Sequence, residues 1–550
     1  MTFRLRALRA VLLLAGFFLM GIGLLAAMAV LDWLLVTQML TARAARFEGA
    51  IIAVTVLLAL VILRGMFTFL RAGRLGRMDH AVAVGPEDQP ELWAQVRAAA
   101  DVAGERPPDE LYLVDEVNAG VAEQSRLLGL LPGRRRMVLG VPLLAGLTVP
   151  RLRAVLAHEF GHYGHRDGRL GALTMRGRQA VLHTVEMFQD GSTSIHQAIG
   201  GLYVGYAHMF LRTSQSVARD QEFAADQTAA EHAGRDATVA ALRALPVIAA
   251  AHAHYVETYA GMGAPMGALP PVGEVYGGFR RLVAARPGDR LAVLAAGTRP
   301  PRPHRYDSHP PGTERIARIE ELAPDGRTDG ADGPSALTLL RDAELVFAAL
   351  EARLLPAGAV QLPRMSWEEL VMARAVVDAE GWSQPLRVAV GRALRSSGEP
   401  TASRTPAQVE DGETVVRQGG PAARPNETAL PDLDEVLDAF DRGLLWMEIA
   451  DRMPKPPQAA RLTGASARNF IRPKIFDGLA GMVHLHLVRE GHAVPDTGWS
   501  GQPGLALPEQ WEKGLDEALD AAVADTPDTT ALRSLLAVSD SASARLSLGN

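Results

Sequence analysis

Residues 11–30 form an uninterrupted run of uncharged, mostly apolar side chains near the start of the chain. This length is close to the about 20 residues that a helix needs to cross about 30 Å of hydrocarbon. A cleaved signal peptide is the alternative, but its apolar region usually covers only about 7–15 residues. The present run is longer and continues apolar past Asp32. It therefore predicts a membrane-spanning helix over about residues 11–31.

A second apolar run at residues 50–63 is extended by residues 65–70 and predicts another span over about residues 48–70. Arginines lie outside both runs, at Arg4, Arg6 and Arg9 before the first and Arg71, Arg74 and Arg77 after the second. The positive-inside rule then places both flanks, and everything after the second span, in the cytoplasm. We expect a multi-pass protein of the cell membrane. Residues 195–211 contain His196 and His208 and predict a buried or membrane-touching helix, not a third span.

The composition limits the fold class and the partners. Hydrophobic residues make up 48% of the chain but aromatic residues only 5%, and Ala, Leu and Val dominate, which favours a mainly α fold with a small β element. A net charge of -6 gives no basic footprint, so no nucleic-acid partner is expected. The absence of cysteine excludes disulfides and thiolate metal sites. Histidine and carboxylate remain as the strong metal ligands.

The pattern of elements divides the chain into five predicted parts. Residues 1–78 form the membrane anchor, and residues 79–325 read as a mixed domain with short strands at 110–115 and 136–141. Residues 326–395 predict a helical extension. Residues 396–430, rich in Pro, Gly, Ser and charge, predict a linker. Residues 431–550 form a C-terminal helical region to which the sequence assigns no role.

His158, Glu159 and His162 form an HExxH motif inside a segment with helical spacing. On a helix, positions i and i+4 share a face, so both imidazoles can point at one Zn²⁺. A metal ion lowers the pKa of water from about 15.7 toward 7, and a neighbouring carboxylate such as Glu159 can take its proton. Two surface histidines on an ordinary helix are the alternative. The apolar neighbours, which include Phe160, count against it because buried histidines need partners.

A catalytic zinc usually has three protein ligands, and the residues alone leave the third ligand open. His165 lies on the same helix, but three ligands from one straight helix converge poorly. Glu222 belongs to another predicted helix and can approach from a separate direction. Asp226 shares the face of Glu222 at i+4, so it can orient a ligating histidine through the second ring nitrogen.

Together these residues resemble the HtpX-like family of integral-membrane zinc metallopeptidases, which are related to the type I prenyl protein endopeptidases. The resemblance covers about the first 325 residues. It is carried, in order, by Asn118-Ala119, residues 138–144, the block from His158 to Arg166-Asp167, Glu222 to Asp226, and Ser308-His309-Pro310-Pro311 with Glu314-Arg315-Ile316.

The resemblance implies a zincin-like (gluzincin) domain with one zinc ion per chain, held by His158, His162 and Glu222, and with Glu159 as general base. It also implies that His309 stabilises the tetrahedral oxyanion, where a positioned donor contributes about 3 kcal/mol. Asn118 and an edge strand near residues 138–140 would hold an extended substrate through main-chain hydrogen bonds. A simple hairpin with a turn-favouring asparagine is the alternative. Asp167 belongs to the same extended motif and is expected to support the site or position the substrate.

The predicted function is a membrane-anchored zinc endopeptidase that cleaves membrane-associated or unfolded proteins near the cytoplasmic face. The alternative is a membrane-anchored scaffold with a structural zinc site, in which the C-terminal region binds a regulatory protein. Two departures from the family pattern matter. Charged residues, among them Arg176 and Glu186, interrupt the helical hairpin after the motif, which argues against four spans. Residues 326–550 have no counterpart in the family pattern.

Overall fold

The structure of the protein is a computed structural model. It describes residues 3–41, 49, 51–57, 59–60, 62–63, 78–123, 133–164, 174, 181, 194–286, 288–297, 310–324, 332–396, 430–457, 459 and 461–537. Contacts divide the chain into two units, one comprising Met1–Ala260 with Val272–Gln361 and the other Gly261–Pro271 with Leu362–Asn550. The described residues are mostly helical with two small sheets, which confirms the mainly α fold.

The first unit contains a four-stranded sheet. Its strands are β1 (Val82–Val84), β2 (Glu110–Val114), β3 (Ala119–Glu123) and β4 (Arg135–Gly140). Their order is β1-β2-β4-β3, with β2 and β4 parallel and the other neighbours antiparallel. The predicted strands at residues 110–115 and 136–141 are thus confirmed as β2 and β4.

The edge of this sheet differs from the sequence interpretation. The predicted edge strand near residues 138–140 is wrong, because β4 is flanked by β2 on one side and β3 on the other. The short segment β3 lies between the two predicted strands in sequence but pairs with the far side of β4. Among the described strands, β3 and β1 therefore form the two outer edges of this sheet.

Helices make up the rest of the first unit. They are α1 (Phe3–Thr41), α2 (Pro90–Val102), α3 (Val141–Gly146), α4 (Val149–Gly164), α5 (Ser194–Ala233), α6 (Arg235–Tyr255), α7 (Glu274–Gly277), α8 (Phe279–Ala285), α9 (Gly288–Gly297), α10 (Gly312–Glu320) and α11 (Ala343–Leu354). A π-helix at Val256–Ala260 follows α6, and two 3-10 segments lie at Ala336–Leu339 and Ala359–Gln361.

The helix α4 forms where the sequence predicts it. Pro150 lies in its first turn, where a missing N–H removes no helical hydrogen bond. Leu152, Leu156 and Phe160 recur every four residues and are fully buried, each with 0% of its surface exposed. This apolar stripe holds α4 in the domain core. His158 and Glu159, which lie between Leu156 and Phe160, therefore have a fixed position.

Two stretches among the described helices are long and apolar enough to cross a membrane, Val11–Gln38 and Arg235–Met266. Their mean hydropathies are 2.5 and 1.3. The second contains α6, which packs against α4 and α5 with Ala237 and Ala241 buried, so we assign it to the domain core. Of the other predicted span, over about residues 48–70, residues 51–57 are helical, while residues 64–70 lie outside the described residues.

The first half of α5 packs against α1. Ala207, Phe210 and Leu211 share a buried cluster with Leu14 and Met28. The hydroxyl of Tyr206 donates a hydrogen bond to the carbonyl oxygen of Leu13 at 2.8 Å. A buried or membrane-touching helix was predicted for residues 195–211, and within it Ala207, Phe210 and Leu211 are buried. With 40 residues, α5 is about 60 Å long and runs from this contact to the candidate site.

The second unit has its own helical core. Its helices are α12 (Trp367–Ser396), α13 (Leu433–Asp441), α14 (Gly464–Arg489) and α15 (Glu509–Ala522), with a π-helix at Leu445–Ile449 that continues as Ala450–Arg452 and a 3-10 segment at Ala264–Met266. A small hairpin joins β5 (Val494–Asp496) to β6 (Gly504–Ala506). The helices α12 and α14 approach closely at Gly481, where an added Cβ would lie 2.7 Å from the carbonyl oxygen of Ala379. Residues 326–395 thus contribute α11 to the first unit and α12 to the second.

A candidate metal centre

Three side chains from two helices converge in the first unit. His158 and His162 project from α4 and Glu222 from α5, and one ligand atom of each lies within 4.8 Å of the others. Glu222 bridges the pair. Its Oε2 lies 3.6 Å from Nε2 of His158, and its Oε1 lies 3.7 Å from Nε2 of His162. Of the two third-ligand candidates, the structure thus brings Glu222 to the histidines, whereas His165 lies outside the described residues.

A glycine inside the motif lets the two helices meet. A Cβ added to Gly161 would lie 2.9 Å from Cα of Ala225 and 3.2 Å from Cβ of Thr228. Real Cβ atoms essentially never come within 3.0 Å of another heavy atom, so a side chain here would force α4 and α5 apart. Ala225 lies one turn after Glu222 on α5. The spacing that Gly161 permits therefore sets how far Glu222 reaches toward the histidines.

The donor set fits a zinc ion. Two imidazole nitrogens and one carboxylate, with a fourth position for water, form the ligand set of a catalytic zinc. Bonds of about 2.0–2.2 Å place neighbouring ligand atoms of a tetrahedral site about 3.3–3.6 Å apart. The two distances to Glu222, 3.6 Å and 3.7 Å, are close to this value. The imidazole rings stand nearly perpendicular, at 80° with centroids 4.8 Å apart.

Asp226 holds one of the histidines from behind. Its Oδ1 lies 3.0 Å from Nδ1 of His158, and its side chain is only 4% exposed. Asp226 can accept a hydrogen bond from a proton on Nδ1, and that tautomer would leave Nε2, which faces Glu222, with a lone pair for a metal. The sequence interpretation gave Asp226 this orienting role, and the structure places it at the corresponding nitrogen.

Arg315 of α10 completes the arrangement around Asp226. Its Nε donates to Oδ2 of Asp226 at 2.8 Å and its Nη2 to Oδ1 at 2.6 Å, a two-bond guanidinium–carboxylate pair. Burial alone would raise the pKa of Asp226, but hydrogen bonds from Arg315 and His158 outweigh it and lower the pKa to about 2. Burial likewise opposes the charge on Arg315, whereas Asp226, Glu222 and Glu159 raise its pKa.

The role of Arg315 was missed by sequence reasoning. It stood in the block that carries the family resemblance, but no function was attached to it. Arg315 and Arg318 both occur in α10, and their spacing along the helix does not indicate which of the two contacts the metal centre. Only the packed structure does so, since Arg318 lies over the ring of Phe223 at 3.6 Å while Arg315 reaches the metal centre. The sequence signal that could have identified Arg315 is its position inside the closing histidine-proline block, Ser308 to Ile316.

A cavity of about 300 Å³ opens onto the centre. Glu159 lines it beside both histidines, and Asn118 and Ala119 reach it from the start of β3. The opposite wall comes from α6 and is largely apolar, formed by Thr238, Ala241, Leu242 and Leu245. A carboxylate, a metal ligand set and a strand edge therefore border one space that can admit a peptide.

Two predicted residues cannot be placed. His309, expected to stabilise the oxyanion, and Asp167, expected to support the site, lie outside the described residues. Their roles remain predictions. Of the other predicted site residues, the structure brings together His158, His162, Glu222 and Asp226, with Glu159 and Asn118 lining the same cavity.

Comparison with known proteins gives matches over the same part of the chain. Residues 86–323 match peptidase family M48. The chain is 26% identical over 263 residues to a protein named Protease HtpX homolog from Polynucleobacter necessarius, which covers 46% of this chain and 81% of that protein. The protein of the same name from Paraburkholderia phytofirmans is 26% identical over 282 residues, 49% of this chain and 88% of the relative. No solved structure matches the chain.

Proposed function

Because the chain belongs to the HtpX-like metallopeptidases of family M48, we propose that it is a zinc-dependent endopeptidase anchored in a membrane. The family membership makes the protein a metalloprotease, which acts on proteins or peptides. The proposal adds the metal, the residues that hold and use it, the internal position of the cleaved bond and the location. The convergence of His158, His162 and Glu222 supports it most directly.

Bond cleavage depends on the carboxylate of Glu159. His158, His162 and Glu222 would hold a zinc ion, whose Lewis acidity would lower the pKa of water from about 15.7 toward 7. Glu159 takes the proton from the attacking water and delivers it to the amide nitrogen that leaves. Asp226 and Arg315 keep His158 in its ligating tautomer throughout. His309 is proposed to donate to the oxyanion, and Asp167 to support the motif helix.

The substrate binds in an extended form beside Asn118 and Ala119, which line the metal cavity at the start of β3. Main-chain N–H and C=O groups there can pair with a peptide main chain. Asn118 lines the cavity beside Glu159, so a peptide held at this point passes the catalytic carboxylate. Main-chain pairing imposes weak sequence demands, which suits unfolded or membrane-associated proteins as substrates.

The location follows from the anchor. The apolar stretch Val11–Gln38 lies in α1, and α1 packs against the helix that carries Glu222. Residues 11–31 and about 48–70 are proposed to span the cell membrane, with arginines on their outer flanks placing the peptidase domain, residues 79–325, in the cytoplasm. The C-terminal region, residues 431–550 after the linker 396–430, is proposed to bind a protein partner.

The test compares wild type with Glu159→Gln in detergent, with a fluorescently labelled unfolded protein as substrate. We expect about one zinc per chain by mass spectrometry in both proteins, and a loss of at least about 100-fold in cleavage rate for the variant. The matched control is Glu231→Gln, which alters an exposed carboxylate on α5. Equal cleavage by wild type and Glu159→Gln would refute the peptidase mechanism, and zinc bound without cleavage by either would favour a structural site.

A further inference from the structure

The helix α5 connects the membrane anchor to the metal centre. Its first eighteen residues, 194–211, contain no Asp, Glu, Lys or Arg, and Arg212 is the first such residue along the helix. Near the end of this uncharged stretch α5 contacts α1, and ten residues after Arg212 it supplies Glu222 to the metal centre. One continuous helix therefore relates the level of the membrane to the level of the metal centre.

The contact between α1 and α5 sets the level of the membrane on α5. The hydroxyl of Tyr206 donates to the carbonyl oxygen of Leu13 at 2.8 Å, and a Cβ added to Gly16 would collide with that hydroxyl. Leu13 lies two residues inside the proposed span over residues 11–31, which is about 3 Å below the cytoplasmic boundary of the hydrocarbon. Tyr206 lies at nearly the same depth, so the boundary crosses α5 at about residue 208.

The charges on α5 place the boundary at the same level by a separate route. Arg212 follows Tyr206 by six residues, a rise of about 9 Å, which puts it about 6 Å above the boundary. This level is the headgroup layer, about 5–8 Å thick on each side of the hydrocarbon, where arginine is favourable. Arg212 is exposed, and Met209, one turn earlier, has 45% of its surface exposed. Both side chains can therefore face lipid.

The part of α5 between the membrane and the metal centre is held by packing. Three of its residues are at most 2% exposed, Ser214, Val217 and Ala218. Glu222 follows Tyr206 by sixteen residues, a rise of about 24 Å, so it lies about 21 Å above the hydrocarbon boundary. A tilt of about 20°, the average for spanning helices, shortens this height to about 20 Å. The metal centre is therefore held well above the headgroups.

We propose that α5 sets the minimum distance between the span of a membrane-anchored substrate and the bond that is cleaved. The proposal rests on the proposed peptidase function and adds a substrate class to it. An extended chain covers about 3.3–3.6 Å per residue, so about six residues are needed to cover about 20 Å. Membrane proteins with a flexible cytoplasmic segment longer than this can reach the metal centre, whereas bonds next to a span cannot.

The experiment places the protein and its substrates in the same vesicles and measures the cleavage rate. Each substrate joins one apolar span, through a Gly-Ser linker of about 2–16 residues, to an unfolded segment with one cleaved bond, which mass spectrometry identifies. Cleavage should be at least about tenfold slower with about three residues before that bond than with about twelve, because bridging the gap would pull apolar residues into water. The same segment without a span is the control and should be cleaved equally with every linker.

Helical linkers test whether distance decides, not the number of residues. Because a helix rises only about 1.5 Å per residue, alanine-rich helical linkers should move the threshold from about six residues to about thirteen. The same threshold for both linkers, or no threshold while the control segment is cleaved, would overturn the proposal and leave the peptidase function intact. If wild type cleaves no substrate, the peptidase function fails, and binding of the anchored substrates to zinc-loaded Glu159→Gln decides. A threshold in binding would then support the proposal, and its absence would overturn it.

The height of α5 can also be measured without a substrate. The chain has no cysteine, so a single introduced cysteine can carry a fluorescent label. A label at Gly205→Cys, where an added Cβ meets nothing within 4 Å, should be quenched by lipids with brominated tails. The matched label at Gln227→Cys, an exposed position beyond Glu222 on the same helix, should not be quenched. Equal quenching at both positions, or none at either, would overturn the proposed height.

Discussion

Gly161→Ala tests whether the close approach of α4 and α5 positions the third metal ligand. The new Cβ would lie 2.9 Å from Cα of Ala225, where ordinary van der Waals contact begins at 3.4 Å. The two helices must therefore separate by about half an ångström, at the cost of about 1–3 kcal/mol typical of overpacking. Glu222, one turn away on α5, moves with its helix. If that cost falls on the zinc-bound state, zinc affinity should drop by about five- to 150-fold.

Zinc affinity would be measured by competition with a chromophoric chelator, and folding by thermal unfolding of the zinc-free protein. The matched control is Gly205→Ala on the same helix α5, where an added Cβ meets nothing within 4 Å. That substitution should preserve zinc affinity and stabilise the helix by about 0.5–1 kcal/mol, because glycine loses more backbone entropy than alanine. A folded Gly161→Ala variant with zinc affinity within twofold of wild type would refute the reasoning.

Three further predictions follow. Asp226→Asn should lower zinc affinity by about 10–100-fold, because the ionised partner of His158 is lost. The same chelator competition measures this affinity. Unchanged affinity would show that Asp226 does not orient the His158 ring. Burial, and then the charges of Asp115 and Glu351, raise the pKa of Tyr276 to about 12 in the folded protein. The unfolded chain therefore loses this proton first, and raising the pH from about 10 through 12 should progressively remove the stability that Tyr276 contributes. Tyr276→Phe should abolish one tyrosine ionisation near pH 12 in an absorbance titration. Restoring zinc to chelated protein at a hundred times its Kd should stabilise the fold by about 2.7 kcal/mol, visible as a rise in Tm, whereas no rise would argue against a site in the folded state.

Local patterns in the sequence determined the elements that carry the chemistry. The 3.6-residue period of Leu152, Leu156 and Phe160 predicts α4, and the four-residue spacing of His158 and His162 puts both on one face of it. The apolar stretch in α1 and the strands β2 and β4 were readable in the same way. These features depend on neighbours a few residues apart, which a linear sequence displays directly.

The tertiary structure decided how distant surfaces meet. It brought Glu222 to the two histidines, attached Arg315 to Asp226, and put β3 instead of β4 at the outer edge of the described sheet. None of these follows from local periodicity, because each depends on the shapes of two packed surfaces. Gly161 shows the difference: in the sequence it is one undefined position of HExxH, whereas in the fold its missing Cβ sets the separation of two helices and the reach of a metal ligand.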